Sequence, residues 1–385
     1  MRTEVLVVGG GPAGSTAARE LAADHDVVIA EEHHRPGEPM QCAGLVTPRG
    51  VSKLAQSSVI ESIRGARIHS PLGFILRIES RKPRAHVIDR RSHDLALFES
   101  AVDAGAEPLL GTRLQGIRVV RGAVEASVEA ESVGRRIEAR MIIGADGHRS
   151  ACREAAGLAG ARHMLRGIQV ELKGVDSDPD TVDIFLGKKV APGFFAWSIP
   201  AGDLTRVGLC TWGKEHPPAS YLRKMLRRPE FSGAVEVSRS SGKIPLGPVK
   251  SAVGKGIMLV GDAACHAKPL SGGGVYTGIK GAELCAGVAS QHLKDDGETS
   301  LHAYDDLWKN SFGTELVRAF RIRKVFLALS DSKMDRALRM FDNPDVRQLI
   351  EERGDIDYPS ALSKNVLKLA PKLAQFSPQL IKSLL

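Results

Sequence analysis

The sequence predicts an α/β fold in which a parallel β-sheet domain carries an inserted, mostly antiparallel β-sheet domain and a C-terminal helical region. A strand, a glycine-rich turn and a helix at the start of the chain predict the parallel sheet. Segments with two-residue hydrophobic periodicity, interrupted by Gly and Pro, predict the antiparallel sheet between residues 160 and 245. Helical periodicity from about Leu301 predicts the final region.

The glycine-rich turn follows the apolar run Val5 to Val8, which is typical of a buried strand. It has G-x-G-x-x-G spacing, and its residues are Gly9, Gly11, Pro12, Ala13 and Gly14. Such glycines allow a tight turn, close approach of a pyrophosphate to the backbone, and close packing of helix on strand. Glu31 ends the next predicted strand, where a carboxylate accepts a hydrogen bond from a ribose hydroxyl. The pattern predicts a Rossmann-like dinucleotide site, with a glycine-rich turn of an unrelated sheet protein as the alternative.

Length and composition indicate a globular protein with more than one domain. The chain has 385 residues, of which 43% are hydrophobic and 25% charged, and no apolar run is long enough to span a bilayer. The first strand begins beside Met1 and leaves no room for a signal peptide, so we expect a cytoplasmic location. The net charge of +8 favours an anionic partner, while nucleic acid is disfavoured because only 5% of residues are aromatic and no binding motif is present.

The cysteines show no metal-binding spacing. There are five of them without a C-x-x-C pair, which predicts free thiols and neither a zinc site nor an iron–sulfur cluster. They are Cys42, Cys152, Cys210, Cys265 and Cys285. Cys42 lies in a loop rich in Pro and Gly that is expected to cross the nucleotide site, where it is either a small apolar filler or a functional thiol.

Two later strands are expected to complete the same site. Met141 to Ile143 lead into the turn Gly144 to Gly147, and Ile257 to Val260 lead to Asp262. A long small-residue helix then opens with Gly272, Gly273 and Gly274. Because ligands of open α/β sheets bind at the carboxyl ends of the strands, these segments should meet the first turn.

This order of segments predicts a discontinuous nucleotide-binding domain. It would consist of residues 1–64, 84–158 and 242–300, while residues 65–83 and 159–241 would form the antiparallel sheet domain. Residues 301–385 would form the helical region. The basic and apolar residues of this region favour either amphipathic contact with an anionic membrane surface or helices that cap the second domain.

These motifs together resemble the flavoproteins built like para-hydroxybenzoate hydroxylase and, among them, the geranylgeranyl reductase family of the digeranylgeranylglycerophospholipid reductase type. GGGPAG with Glu31, IGADGHRS with Arg153, and LVGDAACHAKPLSGGG are similar to three FAD blocks. PMQCAG (residues 39–44) and FAWSIP (residues 195–200) are similar to two segments of the reductases. Phe195 and Ile199 replace the tyrosine and phenylalanine of the second segment, so a hydroxyl group is lost there.

The resemblance implies FAD as the cofactor and no metal. Its FAD-binding residues would be Gly9, Gly11, Pro12, Ala13, Gly14, Glu31, Cys42, Ala43, Gly44, Arg90, Asp146, Gly147, Asp262, Gly272, Gly273 and Gly274. Arg153 is a candidate for contact with a cofactor phosphate. Phe195, Trp197 and His266 would contact the substrate, and Phe194 would lie beside them. Phe194, Phe195 and Trp197 could equally belong to the core of the sheet.

The implied activity is saturation of isolated double bonds in geranylgeranyl chains, above all those of archaeal-type ether phospholipids. Reduced FAD would supply a hydride from N5, and an acid would supply a proton because such an alkene cannot stabilise a carbanion. Cys42 is the first candidate for this acid, followed by His266 and Tyr276. Ferredoxin, deazaflavin and NAD(P)H are all compatible electron donors.

Three other functions are alternatives. The first is an FAD-dependent monooxygenase of an aromatic or isoprenoid compound. The second is a membrane electron-transfer flavoprotein, which is disfavoured because no cysteine follows Cys285 to form the cluster that such proteins carry. The third is a reductase of a free or chlorophyll-linked geranylgeranyl group.

Overall fold

A computed structural model describes residues 1–120 and 123–362. The strands are β1 Arg2–Val8, β2 Val27–Ala30, β3 Leu45–Val46, β4 Val59–Ile63, β5 Gly65–His69, β6 Ile75–Glu79, β7 Ala85–Ile88, β8 Glu107–Leu109, β9 Thr112–Val120, β10 Ala123–Ala130, β11 Val133–Gly144, β12 His163–Lys173, β13 Thr181–Phe185, β14 Ala196–Ala201, β15 Leu204–Thr211, β16 Val235–Leu246, β17 Val253–Gly254 and β18 Ile257–Leu259. The α-helices are α1 Pro12–Ala22, α2 Arg90–Asp103, α3 Ala151–Ala155, α4 Pro218–Met225, α5 Val275–Lys294, α6 Ala303–Trp308, α7 Thr314–Ala328, α8 Asp331–Phe341 and α9 Pro344–Arg353.

The first sheet confirms the predicted parallel α/β architecture. Its strand order is β17-β18-β11-β1-β2-β8, and β18, β11, β1, β2 and β8 run parallel. The central strands are apolar on both faces, as expected for a parallel sheet covered by helices. Val8 pairs with Ala30 on one side and with Gly144 on the other, and Gly144 pairs with Leu259. The strands that carry the three predicted motifs therefore end at the same edge of the sheet.

The second sheet confirms the predicted inserted, mostly antiparallel domain. Its order is β16-β12-β15-β14-β13-β5-β6, and only β13 and β5 run parallel. Within residues 65–83, β5 and β6 form a hairpin around Pro71. β16 pairs with β12 as far as Leu246, so the domain boundary expected between residues 241 and 242 falls inside a strand. A continuous ladder keeps residues 242–246 with the antiparallel sheet.

A third, three-stranded sheet of order β3-β7-β4 was not expected from the sequence. Ile63, Ala85 and Val87 from this sheet pack in one apolar cluster with Trp197 and Ile199 of β14. The small sheet thus packs on the antiparallel sheet, although the sequence analysis grouped residues 45–64 with the nucleotide-binding domain. The full division into domains stays a prediction.

The C-terminal helices pack against the body of the protein. Tyr304, Trp308, Phe312 and Leu316 belong to the same apolar core as the parallel sheet. The start of this region therefore packs on the nucleotide-binding core, whereas the capping interpretation expected contact with the second domain. Helices α7 and α8 do contact that domain, because Arg323 donates to the carbonyl oxygen of Gly193 at 2.6 Å and Ser70 donates to Asp335. The basic final segment, from residue 363 onward, lies outside the described residues. In the part of the chain that the structure describes, no helix has the length and apolar character needed to cross a bilayer.

Gly14 tests the close contact between α1 and the first turn. A Cβ at Gly14 would overlap the carbonyl oxygen of Gly9, whereas no described atom lies within 4 Å of a Cβ at Gly11. We expect Gly14→Ala to lower the free energy of unfolding by about 1–3 kcal/mol or more, because backbone must move to admit the methyl group. Gly11→Ala is the matched control and should keep the wild-type melting temperature. Equal melting temperatures for all three proteins would contradict this packing.

Candidate cofactor and substrate site

The three predicted motifs meet at the carboxyl edge of the parallel sheet. A Cβ on Gly9 would collide with the carbonyl group of Ala145, so the turn after β1 lies directly against the turn after β11. A Cβ on Gly261 would lie 3.1 Å from the Cβ of Ala13, which brings the segment after β18 against the start of α1. Motifs some 250 residues apart in the sequence are therefore in contact.

The start of α1 fits a pyrophosphate. Gly11 is the N-cap of α1, no side chain caps this end, and the space beside its α-carbon is open. Free backbone N–H groups and the positive end of the helix dipole at such an opening attract phosphate. Arg153 is not directed to this role, because its guanidinium donates hydrogen bonds to the carbonyl oxygens of Ala263 (3.2 Å) and His148 (3.4 Å). It ties two turns of the site together.

Glu31 holds the glycine-rich turn. One carboxylate oxygen accepts a hydrogen bond from the backbone N–H of Gly10 at 2.7 Å, and the other accepts from the backbone N–H of His33 at 3.0 Å. The carboxylate is buried beside the first turn, where the sequence analysis placed it. Contact with a ribose hydroxyl remains a prediction.

Asp146 organises the middle motif. Its carboxylate accepts hydrogen bonds from the Ser150 hydroxyl (2.6 Å) and from the backbone N–H of Cys152 (3.0 Å). It therefore fixes the start of α3, next to the turn that contains Gly147. The predicted cofactor contact of Asp146 and Gly147 is not tested by this geometry.

The carboxylate of Asp262 is available to a ligand. No hydrogen bond joins its carboxylate to another residue of the described chain. Burial raises the pKa of Asp262 to about 6, although the nearby Arg90 charge acts in the opposite direction. Such a carboxylate is a suitable acceptor for hydroxyl groups of a sugar alcohol, such as the ribityl chain of FAD.

The start of α5 lies beside Asp262. A Cβ on Gly274 would lie 3.1 Å from the Asp262 carboxylate, and Gly274 is the N-cap of α5 without a side-chain cap. A second uncapped helix N-terminus thus faces the same edge, preceded by Gly272 and Gly273. An extended cofactor with a phosphate end and a ring end fits this arrangement, with one end at α1 and the other at α5.

Cys42 lies where the nucleotide-binding part meets the antiparallel sheet. Its sulfur accepts a hydrogen bond from the backbone N–H of Gly44 at 3.4 Å. Nearby, the Arg90 guanidinium forms a bidentate pair with the Asp94 carboxylate, with hydrogen bonds of 2.9 and 2.6 Å. Burial disfavours the charge on Arg90, but Asp94 and Cys42 outweigh burial and raise its pKa. The charge of Arg90 also acts on Asp262 and opposes the effect of burial on the pKa of that carboxyl group.

A buried ion pair that the sequence analysis missed anchors the Cys42 loop (residues 39–44). Arg206 donates to the carbonyl oxygens of Ala43 (3.0 Å) and Ile88 (2.9 Å) and to the carboxylate of Glu171 (3.1 Å). The second Glu171 oxygen accepts from the hydroxyl of Ser238 at 2.7 Å. Arg206 and Glu171 are direct partners in the β12–β15 ladder. The signal for this pair was Arg206, the one charged residue of β15.

The predicted aromatic residues lie next to this loop. Phe194 and Phe195 are stacked with ring centroids 4.1 Å apart, and Trp197 meets Phe195 edge-on. The Trp197 indole donates to Gln169, which in turn donates to the carbonyl oxygen of Cys42. Phe194, Phe195 and Trp197, here called the aromatic wall, also pack in one cluster with Ala43 and Ala267.

The aromatic wall reaches the start of α5. A Cβ on Gly272 would lie 3.2 Å from the Phe194 ring. Phe194 and Phe195 are half-buried, whereas Trp197 is almost fully buried in the sheet. Trp197 thus belongs to the core of the sheet, which is the alternative that the sequence left open, whereas substrate contact of Phe194 and Phe195 stays a prediction.

His266 does not lie where the substrate prediction requires. Its ring is fully buried against Trp308 and Phe312, with centroids 5.1 and 4.9 Å away. Neither ring nitrogen has a hydrogen-bond partner in the described residues, and burial lowers the pKa of His266 to about 3. A neutral imidazole in the core is not a proton donor, so the prediction is corrected here. The other candidate, Tyr276, forms a hydroxyl–hydroxyl hydrogen bond of 3.0 Å with Tyr358.

Among the described residues, no three His, Cys, Asp or Glu side chains come together in a way that could hold a metal ion.

Asp262→Asn tests the open carboxylate in two ways. Because its pKa rises from 3.8 to about 6 on folding, ionised Asp262 lowers the stability of the FAD-free protein by at most about 3 kcal/mol. This loss grows as pH rises from about 4 to about 6, where the folded state binds more protons than the unfolded state. We expect the FAD-free variant to melt at a higher temperature than wild type at pH ~7.5, with the difference vanishing below pH ~4.

The same variant should bind FAD about ten- to a hundredfold more weakly, because the charge-assisted hydrogen bonds are lost. Flavin fluorescence titration measures the affinity, and Asp306→Asn, on the exposed side of α6, is the control. Unchanged FAD affinity in Asp262→Asn would exclude the carboxylate from cofactor binding.

Comparison with known proteins agrees with this geometry. A sequence profile of the FAD binding domain family matches residues 2–239. The chain is 33% identical over 373 residues to an uncharacterized protein of Methanocaldococcus jannaschii, with 95% of each chain covered. It is 32% identical over 383 residues to a digeranylgeranylglycerophospholipid reductase of Methanothermobacter thermautotrophicus, covering 94% of this chain and 98% of the relative.

A solved structure has the same fold along nearly the whole chain. It is a geranylgeranyl bacteriochlorophyll reductase-like protein from Thermoplasma acidophilum, with a TM-score of 0.85, 23% identity, and coverage of 98% of this chain and 99% of that one. The family match and the full-length relatives agree with the glycine-rich turn, the two uncapped helix starts and the open carboxylate. This chain therefore belongs to the FAD-binding family of flavoprotein oxidoreductases, in the group that includes the digeranylgeranylglycerophospholipid reductases, and FAD is its cofactor.

Proposed function

We propose that this protein reduces isolated double bonds in the geranylgeranyl chains of an archaeal-type ether phospholipid. The observation that carries the proposal is the meeting of the Cys42 loop, the half-buried Phe194–Phe195 pair and the start of α5 at one place. A thiol, an apolar surface and the expected ring end of FAD are the parts that such a reaction needs. The name of the full-length relative supports the same substrate class.

Reduced FAD, when bound, supplies a hydride. An isolated alkene has no group that stabilises a carbanion. The protein must therefore provide a proton for the alkene carbon atom that does not receive the hydride. Cys42 is the proton donor in this proposal. The backbone N–H of Gly44 and the guanidinium of Arg90 would stabilise the negative charge left on the sulfur.

The aromatic wall has a second function in this proposal. Phe194 and Phe195 are half-buried and Phe194 lies against Gly272, so a long isoprenoid chain would bind to their remaining exposed surface through apolar contact. The same contact excludes water, which would otherwise compete for the proton of Cys42. Arg206 and Glu171 position the Cys42 loop against this wall without contacting the reacting atoms.

The partners follow from charge and substrate. The net charge of +8 favours an acidic redox protein such as a ferredoxin as electron donor. The lipid substrate and the basic C-terminal sequence favour peripheral contact with the cytoplasmic face of the membrane.

Cys42→Ala tests the proton donor. The variant should keep its FAD and its melting temperature but lose about a hundredfold or more of its turnover, the usual contribution of a general acid. Reduction of the lipid under single-turnover conditions with chemically reduced enzyme measures the chemical step directly. Cys285→Ala removes a thiol buried in α5 and should retain wild-type turnover. A Cys42→Ala variant with full turnover would remove the thiol from the mechanism.

The reaction itself is tested by mass spectrometry. Lipid extracts containing geranylgeranyl phospholipid are incubated with the purified, chemically reduced protein. We expect the gain of two hydrogen atoms for each double bond that is reduced. Gain of an oxygen atom in aerobic incubations with NAD(P)H would instead select the monooxygenase, and an unchanged lipid with rapid electron transfer to a quinone would select the electron-transfer function.

A further inference from the structure

Arg323 on α7 is a buried cation with an unused hydrogen-bond donor. Its side chain is only 4% exposed, and its Nε–H has no partner in the described structure. One terminal nitrogen donates to the carbonyl oxygen of Gly193 at 2.6 Å. Buried donors in folded proteins are normally satisfied, so the free Nε–H indicates a missing acceptor.

The charge of Arg323 has no carboxylate to balance it. Burial lowers the pKa of Arg323 to about 10, and the group whose interaction opposes this shift is the Cys210 thiol. The residues outside the described ranges, 121–122 and 363–385, contain no Asp or Glu. An uncompensated buried charge costs stability, and proteins keep such charges where a ligand supplies the opposite charge.

A second unsatisfied polar group lies beside Arg323. His163 stacks flat on Trp212 with ring centroids 4.6 Å apart, and Phe320 meets it edge-on. Its Nδ1 is buried without a hydrogen-bond partner in the described residues. The other charged groups that His163 senses are the cations Arg162, Arg323 and Lys324. The charged groups that act on His163 are therefore all positive.

This cluster borders the proposed substrate site. The Arg323 guanidinium lies over the ring of Phe194, 5.3 Å from its centroid. The Phe194 ring in turn lies against Gly272, just before the start of α5. The buried cation therefore contacts the same aromatic wall that reaches the start of α5.

We propose that Arg323 and His163 form an oxyanion subsite that binds the phosphate group of the lipid substrate. The identity of the lipid rests on the proposed function, but the anion chemistry does not. A guanidinium and an imidazole N–H would donate hydrogen bonds to phosphate oxygens, and phosphate supplies the missing acceptor and the missing negative charge together. The subsite would fix the headgroup at one end of the aromatic wall and direct the isoprenoid chain past Cys42.

The test compares two probes that have the same geranylgeranyl chain and differ only in the phosphate group. Binding of geranylgeranyl phosphate and of geranylgeraniol to the full-length, FAD-loaded protein is measured by equilibrium fluorescence titration. We expect wild type to prefer the phosphate about ten- to a hundredfold, as charge-assisted hydrogen bonds usually provide. Arg323→Met should abolish this preference while changing the affinity for geranylgeraniol less than about twofold. Arg321→Met, at an exposed position of the same helix, should keep it.

Three results would overturn the subsite. Wild type could show no preference for the phosphate, Arg323→Met could keep the preference, or it could weaken both probes equally, as a purely structural residue would. The first result does not depend on the folding of a variant. Arg323→Lys, which keeps the charge but loses the planar fork, should retain part of the preference.

Inorganic phosphate distinguishes the two sources of the anion. If inorganic phosphate binds as tightly as geranylgeranyl phosphate and displaces it, the geranylgeranyl chain contributes nothing to binding. The site then takes free phosphate, and the headgroup assignment is wrong. Weak competition at millimolar concentration supports the headgroup. Because binding is measured without turnover, an Arg323-dependent preference in a protein that reduces no alkene would refute the proposed function alone. Reduction that is indifferent to the headgroup would refute the subsite alone.

Discussion

The structure depends on the close approach of three backbone turns at one edge of the parallel sheet. The turn after β1 touches the turn after β11 at Ala145 and the segment after β18 at Gly261, and side chains at Gly9 or Gly14 would separate them. This contact requires residues without a Cβ, because backbone must pack on backbone. It places the free N–H groups of α1 and α5 at the same edge. An extended cofactor can then span motifs that lie far apart in the sequence.

A second constraint joins the nucleotide-binding part to the antiparallel sheet. Arg206 and Glu171 are buried in that sheet, and the guanidinium also holds carbonyl oxygens of the Cys42 loop and of β7. Buried ion pairs seldom add net stability over apolar packing, but removal of one partner costs about 3–5 kcal/mol. The pair is therefore better understood as a device that fixes one position of the loop. The position of Cys42 relative to the aromatic wall follows from it.

Buried polar groups without protein partners distinguish the ligand-facing surface from the core. Asp262 and Arg323 carry opposite charges, and neither forms an ion pair with another described residue, although the charge of Arg90 acts on Asp262. His266 is also unpartnered, but its burial among aromatic rings keeps it neutral, and a neutral imidazole carries a smaller desolvation cost. The distinction between a ligand site and a core residue is thus the presence of an uncompensated charge.

The sequence by itself determined the fold class, the cofactor and the position of the FAD motifs, because a strand, a glycine turn and a helix start are local patterns with fixed physical requirements. Short motifs also singled out the Cys42 loop and the aromatic residues, which the structure brings into contact, while their roles in the site stay predictions. The tertiary structure alone decided that His266 is core, that Arg153 ties turns together, and that the small β3-β7-β4 sheet packs on the antiparallel one. It also decided that Arg206 and Glu171 form a buried ion pair and that Arg323 is buried. The role of a charged or aromatic side chain depends on which residues surround it after folding, and those neighbours come from strands and helices that are distant in sequence.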